Sequence, residues 1–244
     1  MPCQPVKRKL PDRGASVTKS GVRLCLIGSR GRMGQAIATL ARNDSDCLIS
    51  AEVDANDSLT EGLRSCDVAI DLSAPDAAEH ICRIAVEYRR PLVIGTTGHT
   101  DWQRTRIEQA ARVLPIVFAS NFSAGVNILF WLTEQATRLL GQEFRPEIVE
   151  THHVMKKDAP SGTAKTLGQI IQQQRGRGEI PVQSIREGQV VGEHVVRFSG
   201  PGERLELRHN AESRETFASG ALTAAKWVIG RPAGLYTMRD VLGL

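Results

Sequence analysis

Short apolar runs recur along the first half of the chain, each bounded by a glycine or an acidic residue and followed by a helix-period pattern. Val22–Ile27 (VRLCLI) ends at Gly28, residues 48–53 end at Asp54, and residues 68–72 follow Asp67. Leu92–Ile94 stops at Gly95, and residues 116–118 form a fifth run. Apolar runs of this length between turn residues predict buried strands. Between them, Met33, Ile37 and Leu40 share one helical face, Pro75 fits the first turn of a helix to Tyr88, and Asp101–Ala111 reads as a helix. Strands alternating with helices predict βαβ units and a doubly wound, Rossmann-type parallel sheet over residues 21–121, an α/β fold.

The pattern changes after residue 121. Residues 125–140 and 162–174 read as helices around a strand at 147–151. Residues 181–186, 194–199 and 204–209 read as strands, punctuated by Gly188, Gly192, Gly200 and Gly202. Helix followed by meander predicts an α+β substrate domain over residues 124–213. Residues 215–229 read as a helix returning to the first unit. The dinucleotide-binding domain is therefore expected at 21–123 and 214–244. Two ligands held by two units must meet with water excluded, which predicts hinge closure at junctions 123–125 and 213–215, with Gly125 absorbing rotation.

Composition narrows the function classes. With 244 residues, 41% hydrophobic and 24% charged, the chain has ordinary globular proportions. Its formal charge of +4 lies wholly in residues 1–20, where Lys7, Arg8, Lys9, Arg13 and Lys19 face Asp12. The neutral remainder lacks the basic footprint of a nucleic-acid-binding surface. The arm, with Pro2, Pro5 and Pro11, reads as disordered. No apolar run is long enough for a membrane span, and the arm lacks a secretory apolar stretch. Cys3, Cys25, Cys47, Cys66 and Cys82 show no C-x-x-C spacing and read as reduced thiols of a cytoplasmic protein.

The chemistry concentrates in two places. Gly28-Ser29-Arg30-Gly31-Arg32-Met33-Gly34 lies between a strand and a helix, where glycines allow close approach of phosphate to a helix N-terminus. Asp54 ends the next strand, where an acidic residue binds the adenosine ribose. It favours the free 2′-hydroxyl of NADH, while Arg30 and Arg32 are available for the 2′-phosphate of NADPH. Thr96, Thr97 and Asn121 follow later strand ends and offer hydrogen bonds to the nicotinamide half. The second place is residues 150–164, E-T-H-H-V-M-K-K-D-A-P-S-G-T-A. Two histidines, a lysine and a Ser-Gly-Thr helix start combine proton donors with an anion cradle. Adjacent histidines diverge, so no metal site is expected.

His152-His153-Val154-Met155-Lys156 with Ser161-Gly162-Thr163 closely resembles the signature of the 4-hydroxy-tetrahydrodipicolinate reductase (dihydrodipicolinate reductase) family of lysine and diaminopimelate biosynthesis. Gly28–Gly34, the loop 93–98, the loop 119–127, Gly192-Glu193-His194, Gly202-Glu203-Arg204 and residues 217–221 resemble its other segments. The resemblance spans nearly everything after residue 21. It implies NAD(P)H-dependent reduction of 4-hydroxy-tetrahydrodipicolinate to tetrahydrodipicolinate. His152 is implied as proton donor and acceptor, and Lys156 as a proton donor. His153, Ser161, Gly162 and Thr163 are implied to hold the dicarboxylate. Gly28, Ser29, Arg30, Gly31, Arg32, Met33, Asp54, Gly95, Thr96, Thr97, Ala119, Ser120, Asn121 and Phe122 are implied to bind NADH or NADPH. A homotetramer is implied as well, with residues 124–213 as the oligomerisation domain.

The chain departs from the family pattern at Met155, where many relatives carry histidine or an aromatic residue, and at Ala55, where most carry arginine. It is also some twenty residues shorter than many relatives between Ile171 and Arg186, as in the family's short form. Two other readings share the glycine loop: an L-aspartate dehydrogenase, and a regulator that senses the nucleotide without turnover. Neither needs the His/Lys cluster beside an anion cradle.

Overall fold

The computed structural model describes residues 21–176 and 178–244; the basic arm lies outside the described residues. A six-stranded sheet runs β10-β5-β4-β3-β1-β2, with every neighbouring pair parallel. Its strands are β1 (Val22–Ile27), β2 (Cys47–Val53), β3 (Val68–Asp71), β4 (Leu92–Ile94), β5 (Pro115–Phe118) and β10 (Gly234–Tyr236).

The apolar runs are continuous because both faces of this sheet are covered. Cys25 and Ile27 point into one core, and Leu24 and Leu26 into the other. Helices α2 (Leu59–Ser65), α3 (Ala78–Tyr88) and α4 (Asp101–Ala111) close the first core. Helices α1 (Arg32–Arg42) and α7 (Glu215–Val228) close the second. The expected return of the chain is therefore observed: α7 lays Ala218, Ala221, Ala224 and Ala225 against the sheet. Pro75 opens a 3₁₀ turn, Pro75–Ala77, rather than the helix itself. The cysteines at 25, 66 and 82 are buried, and those at 25, 47, 66 and 82 are free thiols.

The second sheet has four strands in the order β7-β6-β8-β9. They are β6 (Arg145–His152), β7 (Val182–Arg186), β8 (Gly192–Gly200) and β9 (Glu203–Ala211). The expected meander is only partly right. β8 and β9 form an antiparallel hairpin, but β7 pairs parallel with β6 on the opposite edge. The reason is α6 (Gly162–Arg175), which serves as the crossover a parallel pair requires. Helices α5 (Ala124–Leu139) and α6 cover one face, joining Val126, Leu129, Leu167 and Ile171 to Ile148, Val196 and Phe198. The short α8 (Met238–Leu242) follows β10 and caps the parallel sheet's second core through Met238.

Candidate active site

The strand ends of the parallel sheet build one wall. Gly28 adopts φ 81°, and a Cβ at Gly34 would stand 2.4 Å from the Gly28 carbonyl oxygen, so loop and helix touch backbone to backbone. Helix α1 has Gly31 as its N-cap, with no side-chain cap and no acid in its first turn. Its leading N–H groups therefore suit an anion. Asp54 leaves β2 beside this loop. It accepts from the Ser29 hydroxyl at 2.6 Å and the Arg30 amide at 3.4 Å, with the Arg30 guanidinium 3.6 Å away. A partly exposed carboxylate tied to the glycine loop fits a dinucleotide's ribose.

Along the next strand ends, Gly95 and Thr96 follow β4, and Thr96 is buried with its hydroxyl beside the Asp71 carboxyl. Phe122 is buried under Gly95, where a Cβ would lie 2.7 Å from its ring. Phe122 thus shapes the loop from below, while Ser120 and Asn121 face the cleft. Asn121 donates to the Thr163 hydroxyl at 3.3 Å, linking the two walls.

The second sheet builds the opposite wall. Glu150 and His152 alternate onto one face of β6. Strand pairing sets Glu150 between Ser184 and His194, His152 opposite Arg186, and His194 opposite His209. The imidazole of His152 bonds through Nδ1 to Glu150 Oε2, and the Arg186 guanidinium donates to Glu150 Oε1 at 2.9 Å. Space for the ring exists because Gly192 has no side chain; a Cβ there would meet His152 Nε2 at 3.1 Å. His194 stands edge-on to His152 with ring centroids 5.1 Å apart.

The loop after β6 carries His153 and Lys156 back over this face. Lys156 Nζ pairs with Asp158 at 2.8 Å, and the Lys156 cation holds the Asp158 carboxyl below its ordinary range. Ser161 caps α6, accepting from the Ala164 amide at 3.2 Å, and its hydroxyl meets His194 Nε2 at 3.1 Å. The Gly162 and Thr163 N–H groups open the helix toward the cleft.

Burial governs the electrostatics. It pushes His152 down, against the opposing pull of Glu150, and pushes His194 down to about 3. Burial raises Glu150, but Ser184, Arg186 and His152 outweigh it and hold the carboxyl below the ordinary range.

These walls enclose a cleft of about 1050 Å³. Of the sequence-predicted residues, Arg32, Met33, Thr97, Ser120 and Asn121 line it from one side. His152, His153, Lys156, Ser161, Gly162 and Thr163 line it from the other. Gly28, Ser29, Arg30, Gly31 and Asp54 sit further along the parallel sheet, at the ends of β1 and β2. Gly95 and Thr96 directly follow β4 and Ala119 follows β5, at strand ends outside the cleft lining.

Sequence reasoning missed Glu150, Arg186 and His194 as site residues. Period-two alternation would have put Glu150 on the His152 face; the other two arrive only through strand pairing. Glu150, His152 and His194 also form a group whose potential ligand atoms lie within 4.8 Å of one another. Both Glu150 oxygens already have partners in His152 and Arg186, so hydrogen bonding accounts for this set.

Residues 22–122 match the family model described as dihydrodipicolinate reductase, N-terminus, and residues 125–242 match the corresponding C-terminus. The chain belongs to the dihydrodipicolinate reductase family. It is thus an oxidoreductase of a family that uses NADH or NADPH in lysine and diaminopimelate biosynthesis. A 4-hydroxy-tetrahydrodipicolinate reductase from Akkermansia muciniphila is 46% identical over 242 residues, covering 91% of this chain and 98% of the relative. A dipicolinate-bound dihydrodipicolinate reductase from Paenisporosarcina sp. TG-14 superposes with TM-score 0.78 at 26% identity, covering 90% of this chain and 98% of that one. An aspartate dehydrogenase from Thermotoga maritima, at TM-score 0.50 and 13% identity over 84% of this chain and 95% of that one, shares the fold alone. No helix among the described residues is long and apolar enough to cross a membrane.

Proposed function

We propose that this chain reduces 4-hydroxy-tetrahydrodipicolinate to tetrahydrodipicolinate, with protons from His152 and Lys156. One observation carries the reading: His152, Lys156 and the N-terminus of α6 converge in a cleft whose other wall is the dinucleotide-binding edge of the parallel sheet. When bound, NADH or NADPH supplies the hydride. Its holders in this reading are the loop 28–33, Asp54, the turn 95–97 and the segment 119–122. The segments 21–123 and 214–244 act as the cofactor half, and 124–213 as the substrate half.

The substrate is a dianion, which needs cations and amide donors. The α6 amides at 162 and 163, the Thr163 hydroxyl, Ser161 and His153 supply the cradle, and Lys156 adds charge. Reduction of a conjugated cyclic imine takes a hydride at carbon and a proton elsewhere. In this reading Glu150, held in its charged form by Arg186 and Ser184, accepts the Nδ1 proton of His152, and the ring delivers a proton from Nε2 to substrate only once it has become the doubly protonated imidazolium. The exposed strand β9, with Leu205 39% exposed, is the face we assign to a homotetramer. The setting for this activity is the cytoplasm.

The test is oxidation of NADH and NADPH by the purified protein with freshly generated substrate. Turnover is expected only with substrate present. His152→Ala and Lys156→Ala should each lower kcat by roughly 10²–10⁴-fold with cofactor affinity nearly unchanged. Nucleotide binding without turnover would return the chain to the nucleotide-sensing reading. Near-full kcat in either variant would remove that residue from its role.

A further inference from the structure

We infer that Glu150, anchored by Arg186, is the positioning residue that fixes the ring and the tautomer of His152 and ties it to the loop carrying Lys156. The inference deepens the proposed function and rests on it for the kinetic effect only. Glu150 is fully buried; one oxygen meets His152 Nδ1 and the other Arg186 Nη2, with the Ser184 hydroxyl as a further donor to the carboxylate. A buried carboxylate left without such partners would be strongly destabilising. With them it is a fixed acceptor aimed at one ring nitrogen.

That acceptor decides the tautomer. A carboxylate at Nδ1 selects the Nδ1–H form and leaves Nε2 as the nitrogen available to a substrate. It also stabilises the imidazolium that must form before a proton is delivered. The charged and titratable groups around the ring make this role specific. Lys156 from the loop and Arg186 from β7 disfavour the imidazolium, as does burial. His194 from β8 stands edge-on to the ring, with His209 from β9 behind it. Glu150 is the neighbour that favours the charged ring.

Arg186 extends the arrangement to the second proton donor. Besides Glu150 it donates to the Ile185 carbonyl at 2.7 Å and to the Asp158 carbonyl at 2.7 Å. Asp158 in turn holds Lys156 through its carboxylate. One guanidinium therefore connects the end of β6, the end of β7 and the loop 153–160. Loss of either partner should disturb both donors, without either residue touching substrate.

The experiment is ¹⁵N NMR of the histidine side chains in the full chain, with the His152 signals assigned by their loss in His152→Gln. It is paired with the pH profile of kcat/KM. Wild type should show His152 protonated at Nδ1 when neutral. An Nε2–H tautomer in wild type overturns the inference without any further variant. In Glu150→Gln the Nδ1–H preference should disappear. Its kcat/KM should fall roughly 10²–10⁴-fold, the scale of a misplaced histidine tautomer. The limb that reports protonated His152 should move to lower pH, and the NADH dissociation constant should stay within about twofold of wild type. Glu150→Asp should recover part of the rate. If Glu150→Gln does not fold, Glu150→Gln/Arg186→Met removes the unpaired cation and is read the same way. A folded variant with the wild-type tautomer and profile overturns the inference. A shifted tautomer with unchanged kcat leaves the positioning intact and instead removes His152 from the proposed function.

Discussion

A histidine held neutral in the folded protein makes stability depend on pH, and His194 is the clearest case here. Burial pushes it down to about 3, while an unfolded chain titrates it near ~6.5. Below ~6.5 the unfolded state binds the proton and the folded state does not. The contribution is therefore complete above ~6.5 and is lost as pH falls toward the folded value. His194→Gln, which keeps a polar group for Ser161, should flatten the pH dependence of the unfolding midpoint between about pH 4 and 7. Equal slopes in variant and wild type would contradict this. His152 and His209 are lowered by burial too, so some slope should remain. The sequence made half of this cluster legible. His152, His153, Lys156 and Thr163 share one local run, and a local run shows directly in the chain. Glu150 lies two residues before His152 on β6, so alternation alone could have shown it, but Arg186 and His194 come from β7 and β8, and their arrival depends on register, which no spacing reveals.

At the scale of elements, α6 joins substrate binding to the histidine pair. Ser161 caps it and bonds His194, so one hydroxyl serves the helix and the sheet behind it. Ser161→Ala should lower stability by about 1–2 kcal/mol, the usual cost of a lost N-cap with a buried partner left unsatisfied. It should raise KM more than it lowers kcat, because the helix amides remain but fray. Ser161→Thr should restore most of both, as urea unfolding and steady-state kinetics would show; an unchanged KM in Ser161→Ala would exclude the helix terminus from substrate binding. The strongly periodic elements were legible within a residue or two. Helix α2 was missed because it is short and contains Gly62. Yet Ser58 followed by Glu61 is a capping signal, and the Ser58 hydroxyl does accept from the Glu61 amide at 3.3 Å. β10 spans three residues and offers no periodicity to read. The parallel placement of β7 follows from α6 lying between it and β6, a relation the expected meander overlooked.

In the whole molecule, two walls of different origin make one cleft. Asn121 to Thr163 bridges them, and the adjoining junction is packed: Ser123 caps α5, and its hydroxyl lies 3.5 Å from His209 Nε2. Closure would rotate the walls about the segments 123–125 and 213–215, bringing the parallel sheet's strand ends toward His152. The fold class was legible in the alternation of strands and helices, but the cleft was not, because its walls meet only in three dimensions. The most direct measurement is the structure of the full chain with both NADH and pyridine-2,6-dicarboxylate bound. The expected result is a carboxylate on the amides of Gly162 and Thr163, the ring facing His152 Nε2, the ribose on Asp54, and a cleft narrower than with NADH alone. A dicarboxylate bound outside this cleft, or inside it with both His152 and Lys156 turned away, would contradict the proposed roles of His152, Lys156 and the α6 N-terminus.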